Sequence, residues 1–418
     1  MENNNGLDGM NLLRLFSAPI LLLAVLSLYG CATPTPPKTH TETGICQTAK
    51  VKLDTDFPTG NVANCKAVTE KHFSLSITPE DAPPINCSAW YAFRLTPRNA
   101  RKTVGRVTIS LGYEICGHRY WPKTSSDGTV WTSVPEDDVE ITEVDGIKQA
   151  RFSVRLDKDA LFVAAQEIFP PITYETWLRR IGQSANARIW SLGKSAEQRD
   201  IPAMTIKKNG HQPREQIVLI GRQHPPEVTG ALAMLPFVET LLADTPLAKR
   251  YRARFETIVI PMLNPDGVTR GHWRHNIGGT DLNRDWGPFA QPETKLMDSL
   301  LKKIAANPGK KLRFFADFHS TWKDVFYSIP DEHPTNPPLF TKLWLERLQE
   351  RMPDYKVTRD QNHNASSTVS KAYIYETYGV PAVTFELGDK TDRELIKRIG
   401  REAATAMMET LLETEPPS

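Results

Sequence analysis

The second half of the chain contains no cysteine. All five cysteines of the 418-residue sequence lie at or before Cys116, so zinc ligation by thiolates is excluded beyond that point. The chain also lacks an excess of either charge, because 51 basic and 49 acidic side chains leave a net charge of +2. This balance argues against nucleic acid or an anionic membrane surface as the main partner. No internal repeat or low-complexity block follows residue 45, which excludes a solenoid or repeat array.

Composition and length indicate a soluble globular protein with more than one domain. Hydrophobic residues make up 40% and charged residues 24% of the sequence, as is ordinary for a packed soluble fold. A chain of 418 residues is too long for one ordinary hydrophobic core, so we expect two domains.

Residues 1–31 are predicted to be an export signal. Arg14 precedes an apolar run over residues 15–28, which has the length of a signal-peptide core but is short for a membrane span. The run ends in L-Y-G-C at Cys31, which resembles a bacterial lipobox. The resemblance implies a lipid on Cys31 that anchors the exported protein to the membrane, at the periplasmic face of the cell envelope. The alternative is a plain secretory signal with an incidental cysteine.

The residues after Cys31 predict a tether and favour one membrane over the other. Residues 32–45 are rich in Pro and Thr and are predicted to be disordered. Ala32 is not an Asp-type signal for retention in the inner membrane, so the outer membrane is favoured.

Two disulfides are predicted in the N-terminal third. If Cys31 carries lipid, Cys46, Cys65, Cys87 and Cys116 remain. An even number of cysteines in an exported protein favours disulfides over free buried thiols. Three pairings are open, and the sequence does not choose among them.

Residues 46–170 are predicted to form a small β-sandwich. Period-two alternation of apolar residues predicts strands over residues 73–77, 104–111, 139–144 and 150–156. Turn sequences such as Ser126-Asp127-Gly128 separate them. Short strands at this spacing are typical of a sandwich, and no chemistry concentrates in this region.

Residues 171–416 are predicted to form an α/β domain with a mixed, mostly parallel sheet and helices on both faces. Predicted strands alternate with predicted helices throughout. The strands cover residues 187–192, 216–220, 257–263, 312–318 and 382–385, and the helices cover residues 173–183, 231–243, 293–306, 338–351, 371–378 and 392–412. Pro236 lies inside the second of these helices, which is therefore expected to kink or to start late.

Polar side chains follow four of the predicted strands, where α/β sheets bind ligands. His224 and Glu227, three residues apart, follow the first of these strands, and His319 and Glu386 lie at the ends of two others. A catalytic zinc needs three protein ligands and one open position, and His224, Glu227 and His319 would supply them. Glu386 would take the proton from a zinc-activated water.

Other side chains complete a hydrolytic site. Arg274 would stabilise the oxyanion, and Asn283 with Arg284 would bind a substrate carboxylate. Asp281 would hold the second nitrogen of His224. Taken singly, each residue also has a structural explanation, such as an ion pair for Arg284 or a hydrogen-bonded core position for each histidine.

Together these residues resemble the zinc carboxypeptidase family. The ordered motifs are H-x-x-E, N-P-D-G, an Arg, D-x-N-R, a His followed by Ser, and F-E-L, over residues 172–412. The resemblance implies the family's α/β fold, one Zn²⁺ ion on His224, Glu227 and His319, and the roles given above for the remaining residues. The N-terminal β region, with R-Y-W-P at residues 119–122, looks like the small β domain of the cytosolic carboxypeptidase branch.

Two positions bear on the substrate. Many family members carry a mobile Tyr about twenty residues before the catalytic Glu, but residues 363–367 read HNASS, and Tyr373 and Tyr375 are predicted to be helical. Lys371 lies near the position that lines the family's side-chain pocket, where a basic residue would favour an acidic C-terminal side chain. The alternative for Lys371 is a solvent-facing position on a helix.

The sequence therefore predicts a zinc metallocarboxypeptidase that hydrolyses an amide next to a free carboxylate. A second candidate substrate is the stem peptide of peptidoglycan, which an exported protein at the cell envelope would meet. A third candidate, from another class, is a non-catalytic peptide-binding lipoprotein. Such a protein would be expected to lack a ligand or the general base, and none is missing. The sequence leaves the oligomeric state open.

Overall fold

The computed structural model describes residues 46–416. The predicted signal, Cys31 and the predicted tether lie outside the described residues. Within the described part, no single helix is both long and apolar enough to cross a membrane. Among residues 46–416, one bent pair of helices, Val228–Leu242 and Pro246–Arg254 with an angle of 89° at the break, meets the length and hydropathy criteria when its two helices are taken together.

The N-terminal region is a sandwich of two sheets. Its strands are β1 Cys46–Gln47, β2 Val51–Asp54, β3 Asn64–Thr69, β4 His72–Ile77, β5 Ala92–Pro97, β6 Gly105–Tyr113, β7 Lys123–Ser125, β8 Thr132–Ser133, β9 Val139–Val144, β10 Ile147–Leu156 and β11 Leu161–Ala164. One sheet has the order β1-β2-β5-β11-β7-β8 and the other β3-β4-β6-β10-β9. Alternate residues of β4 are buried, because successive side chains of a strand point to opposite faces. The prediction of a β domain is confirmed.

Two disulfides brace this sandwich, as the cysteine count predicted. Cys46 is bonded to Cys65 and Cys87 to Cys116, with Cα atoms 5.8 and 5.3 Å apart. The first bond joins the initial strands of the two sheets. The second joins the loop before β5 to the loop after β6.

The second region is built on an eight-stranded sheet of order β12-β13-β15-β14-β16-β19-β17-β18. Its strands are β12 Ala187–Lys194, β13 Asp200–Ile206, β14 Glu215–Gly221, β15 Phe255–Ile260, β16 Lys311–Thr321, β17 Val325–Ser328, β18 Arg359–Gln361 and β19 Ala382–Gly388. The four central strands, β15, β14, β16 and β19, are parallel to one another. Every residue of β14 is buried, as is expected for a parallel strand covered on both faces.

Helices cover both faces of this sheet, as predicted. They are α1 Pro171–Ile181, α2 Val228–Leu242, α3 Pro246–Arg254, α4 Pro265–Arg270, α5 Pro292–Ala305, α6 Phe340–Arg351, α7 Ser370–Tyr378 and α8 Arg393–Glu413. On β14, Ile217 and Leu219 pack into the core under α2 and α8. Their neighbours Val218 and Ile220 pack into the core under α5 and α7.

Local propensity misjudged several elements of this region. The helix containing Pro236 does not start late, because α2 begins at Val228 and runs through the proline. The missing N–H of Pro236 is tolerated in a helix whose inner face is buried around Phe237 and Val238. Strand β13 was missed because Pro202 interrupts its apolar pattern. Helix α3 was missed because its segment is polar, although Thr245 and Pro246 form a helix start signal.

Candidate active site

The loop between β14 and α2 carries His224 and Glu227, which are both buried. Arg222 stabilises this loop through hydrogen bonds of its side chain. Its backbone has a φ of 53°, and its buried guanidinium donates to the carbonyl of Pro225 at 2.7 Å and to the hydroxyl of Tyr174 at 3.3 Å. Sequence reasoning missed this residue, although a charged side chain directly after an apolar strand was a usable signal.

His319 and Glu386 reach the same edge of the sheet from neighbouring strands. Gly221, the last residue of β14, pairs with Phe318 of β16, and His319 pairs with Glu386 of β19. The carboxyl ends of parallel strands meet at one edge, where α/β sheets bind ligands. His319 lies within β16 rather than beyond its end, because the strand continues to Thr321.

His224, Glu227 and His319 form the one metal-ligating group found among residues 46–416, with ligand atoms within 4.8 Å of one another. The Nδ1 atoms of the two histidines are 3.2 Å apart. Each lies 2.7 to 2.8 Å from a different carboxylate oxygen of Glu227. Ligands of a tetrahedral zinc ion lie roughly 3.3 Å apart when each is about 2.0 Å from the metal. The spacing and the donor set therefore fit zinc.

Both histidines are held by a carboxylate on the ring nitrogen that faces away from this group. Nε2 of His224 lies 2.8 Å from Asp281, as the sequence predicted, and Nε2 of His319 lies 2.9 Å from Asp317. Such contacts set the tautomer and ring orientation of a metal ligand. Asp317 was not given this role from the sequence, although its spacing of two from His319 places both side chains on one face of a strand.

The electrostatics of the group favour a positive charge. Burial alone would lower the pKa of His319, but Asp317 and Glu227 hold it well above its usual range. Burial would raise the pKa of Glu227, but His224 and His319 hold it well below. A metal cation would take the place of the proton that His319 otherwise holds.

Glu386 faces the same cavity and remains unpaired. Its Oε2 atom is buried and has no hydrogen-bond partner among the described residues. Burial, together with the nearby Glu227 carboxylate, raises its pKa to about 8, although His319 and Arg274 oppose the rise. A carboxylate poised near neutral pH is suited to general-base work.

Arg274, Asn283 and Arg284 line this cavity, whose volume is about 300 Å³. Arg274 is buried, and its Nε donates to Asp281 at 2.7 Å. Asn283 accepts from the backbone N–H of Ser370 at 2.8 Å. The side chain of Arg284 is 52% exposed, and its Nη1 donates to the carbonyl of Asn283 at 2.7 Å. The structure thus brings together all seven residues for which the sequence predicted a catalytic, binding or metal role.

Lys371 is buried, so the alternative of a solvent-facing position on a helix is wrong. It is 5% exposed, lines the cavity, and donates from Nζ to Oδ1 of Asn362 at 2.8 Å. Burial lowers its pKa to about 8. A buried ammonium beside a binding cavity marks where a ligand's negative charge would be favoured.

The cavity wall includes residues that the sequence did not single out. Tyr327 of β17 lines it, whereas Tyr373 and Tyr375 lie on α7 as predicted. The N-terminal sandwich contributes Ser88 and Arg119 to the wall, although its sequence showed no concentration of chemistry.

Arg119 joins the two regions beside the cavity. Its Nε donates to Asp389 at 2.8 Å, and its guanidinium lies over the ring of Trp322, 4.7 Å from the centroid. Trp322, 67% exposed, follows the His319 strand and lies at the rim of the cavity. The sandwich is therefore part of the site.

An α/β sheet with a His–Glu–His group and an unpaired glutamate at the carboxyl edge of its parallel strands defines the class: an α/β protein with a hydrolase-type metal site. The profile described as zinc carboxypeptidase matches residues 174–409. The chain therefore belongs to the zinc carboxypeptidase family. The profile described as cytosolic carboxypeptidase N-terminal domain matches residues 53–165, which confirms the resemblance of the β domain to that branch.

Relatives agree with this assignment. The chain is 25% identical over 299 residues to human cytosolic carboxypeptidase 6, an alignment that covers 66% of this chain and 59% of the relative. It is 33% identical over 137 residues to the mouse protein of that name, covering 31% of this chain and 25% of the relative. The chain thus spans less than two thirds of the length of these relatives.

Solved structures share the fold of most of the chain. A metallo-carboxypeptidase from Burkholderia cenocepacia superposes with a TM-score of 0.71 at 20% identity, covering 86% of this chain and 99% of that one. A carboxypeptidase from Pseudomonas aeruginosa, solved with (2-guanidinoethylmercapto)succinic acid, gives 0.68 at 19% identity, covering 86% and 99%. At such low identity, these neighbours establish the fold alone.

Proposed function

We propose that the protein is a zinc-dependent metallocarboxypeptidase that hydrolyses an amide bond next to a free carboxylate. The observation that carries the proposal is the unpaired Glu386 in one cavity with the three-residue group His224, Glu227 and His319. One zinc ion bound by that group would supply a Lewis acid that polarises a carbonyl oxygen and lowers the pKa of water.

The residues around that group divide the remaining work. Glu386 accepts the proton of the attacking water on Oε2 and returns it to the leaving nitrogen. Arg274 donates hydrogen bonds to the carbonyl oxygen as it gains negative charge. Asn283 and Arg284 bind the terminal carboxylate of the substrate, for which the guanidinium offers two parallel donors.

The test is Glu386→Gln in the zinc-loaded chain. The variant should keep its zinc and lose roughly 100-fold to 10,000-fold in kcat, the usual range for a general base. Glu215→Gln is the matched control. Glu215 is a buried glutamate that begins β14 at the opposite end of the sheet, where it pairs with Arg254. Full activity in Glu386→Gln would remove this residue from the mechanism.

We further propose that the enzyme prefers substrates with an acidic C-terminal residue. The support is Lys371, a buried ammonium that lines the cavity together with Asn362. Lys371→Met should lower kcat/KM roughly 10-fold to 100-fold for peptides that end in Glu, because a hydrogen bond to a charged group contributes about 1.5 to 3 kcal/mol. A peptide that ends in Leu is the control substrate. An equal loss for both peptides would contradict the preference.

Peptidoglycan stem peptides remain the second candidate substrate, supported by the predicted export and lipid anchor at Cys31. Incubation of the purified protein with defined muropeptides and with Glu-ending peptides separates the two.

We propose that the mature chain is lipid-anchored at the periplasmic face of the envelope. Cys31→Ala should release it from the membrane fraction, and unchanged fractionation would contradict the anchor.

A further inference from the structure

The core of the N-terminal sandwich contains one residue from the catalytic domain. Trp273 is fully buried and packs in the same hydrophobic cluster as Phe73, Tyr91 and Phe152 of the sandwich. It lies in the loop after α4, and the next residue along the chain is Arg274. An aromatic side chain anchored in one domain is therefore joined by a single peptide bond to a residue of the active-site cavity.

The sandwich also forms hydrogen bonds with the backbone just before Trp273. The backbone N–H of Thr59 donates to the carbonyl of Thr269 at 2.9 Å, and the amide of Asn61 donates to the carbonyl of Gly271 at 2.7 Å. Gly271 has a φ of 65°, and a Cβ there would lie 2.6 Å from the carbonyl oxygen of Thr59. Only glycine permits this approach at low cost, so the fit of the two domains is close at this point.

A short polar contact lies on the other side of Arg274. Oδ2 of Asp81, in the loop after β4, lies 2.7 Å from Nδ1 of His275, and both side chains are largely buried. The residues that flank Arg274 on either side are thus both fixed by the sandwich. Arg274 itself turns to Asp281 and lines the cavity.

We infer that the N-terminal β domain positions Arg274 for catalysis, through Trp273 and the Asp81–His275 contact. The inference rests on the proposed function, in which Arg274 stabilises the oxyanion. Trp273, Asp81 and His275 are positioning residues, because none of them lines the cavity. Displacement of a catalytic group by about 1 Å is enough to cost roughly 100-fold in rate.

The test uses the full zinc-loaded chain. Trp273→Ala should lower kcat by roughly 100-fold with little change in KM or zinc content, and Trp273→Phe, which keeps an aromatic anchor, should restore most of the rate. Phe152→Ala is the matched control, because Phe152 is equally buried in the same sandwich core but is remote in sequence from the Arg274 loop. An equal loss of kcat in Phe152→Ala and Trp273→Ala would overturn the inference.

A double-mutant cycle tests whether the effect passes through Arg274. If Trp273 acts only by placing Arg274, the variant Trp273→Ala/Arg274→Ala should be no slower than Arg274→Ala alone. If the fold-losses of the two single variants multiply in the double variant, the inference is overturned.

A spectroscopic readout makes the test independent of hydrolysis. The readout is the NMR signal of the Nε–H group of Arg274, which is assigned by its loss in Arg274→Lys. This signal should shift or broaden in Trp273→Ala and stay in place in Phe152→Ala. Asp81→Asn, a milder change, replaces Trp273→Ala if the latter does not fold and should give the same shift. An unmoved signal overturns the inference, whereas wild-type protein without peptidase activity contradicts only the proposed function.

Discussion

Asp317→Asn offers a sharp test of how this site prepares its ligands. Asp317 is fully buried, and its Oδ2 lies 2.9 Å from Nε2 of His319 while accepting from Gln223 and Ser370, each at 2.6 Å. Its Oδ1 has no partner among the described residues. An asparagine can therefore keep an oxygen at the Oδ2 position and place its NH₂ group at the Oδ1 position. The substitution removes the charge while preserving the shape.

The expected magnitude follows from that geometry. A hydrogen bond to a charged acceptor contributes about 1.5 to 3 kcal/mol and one to a neutral acceptor about 0.5 to 1.5 kcal/mol. The bond to His319 should thus weaken by about 1 to 1.5 kcal/mol. Because 1.36 kcal/mol corresponds to about a factor of ten, zinc should bind roughly tenfold more weakly. This loss lies at the lower end of the range of about 10-fold to 100-fold that is typical when a residue hydrogen-bonded to a metal ligand is replaced.

The assay is a competition titration of the metal-free protein with a chromogenic zinc chelator. Asp266→Asn is the matched control, because Asp266 is also fully buried but contacts Arg199 and Ser195 rather than a metal ligand. The reasoning is refuted if Asp317→Asn and the wild type have the same Kd for zinc. Asp317→Ala should be far more damaging, since each of the buried donors left unpaired costs about 1 to 3 kcal/mol of stability.

Three further predictions concern the ligands, the helix behind them and the pocket. His224→Ala or His319→Ala should abolish stoichiometric zinc binding, and one zinc per chain by atomic absorption in either variant contradicts the ligand group. Gly230→Ala would place a Cβ 2.4 Å from the backbone oxygen of His319 and should cost about 1 to 3 kcal/mol in thermal denaturation. Gly112→Ala, with no atom nearer than 3.7 Å, should be nearly neutral, and equal losses would refute the clash. Burial lowers the pKa of Lys371 from its usual 10.5 to about 8, so the unfolded chain holds that proton more tightly. The stability of the wild type relative to Lys371→Met should therefore rise as the pH increases from 8 towards 10.5, and a flat or falling difference in Tm contradicts this.

Much of the fold followed from local pattern. The parallel strands at the centre of the large sheet are continuous apolar runs, and α5 and α8 are amphipathic, so hydrophobic periodicity alone predicted them. The elements that were missed have weak local signals. Strand β13 contains Pro202, and β17 has only four residues, so their strand conformation depends on the neighbours with which they pair.

The sequence by itself identified the residues that are proposed to act at the candidate site. His224, Glu227, His319 and Glu386 were identifiable because ligand and base chemistry requires particular side chains, and parallel strands bring their carboxyl ends to one edge. Asp317 was not identified from the sequence, although residues two apart on a strand share a face and the same reasoning applies to it.

Tertiary structure alone decided what surrounds that chemistry. The burial of Lys371, the pairing of the four cysteines and the packing of Trp273 in the N-terminal sandwich all depend on contacts between residues distant in the chain. Such contacts leave no periodic mark in the sequence, because they reflect the docking of whole elements rather than local conformational preference. The positioning of Arg274 by the sandwich became apparent only when the two domains were seen in contact.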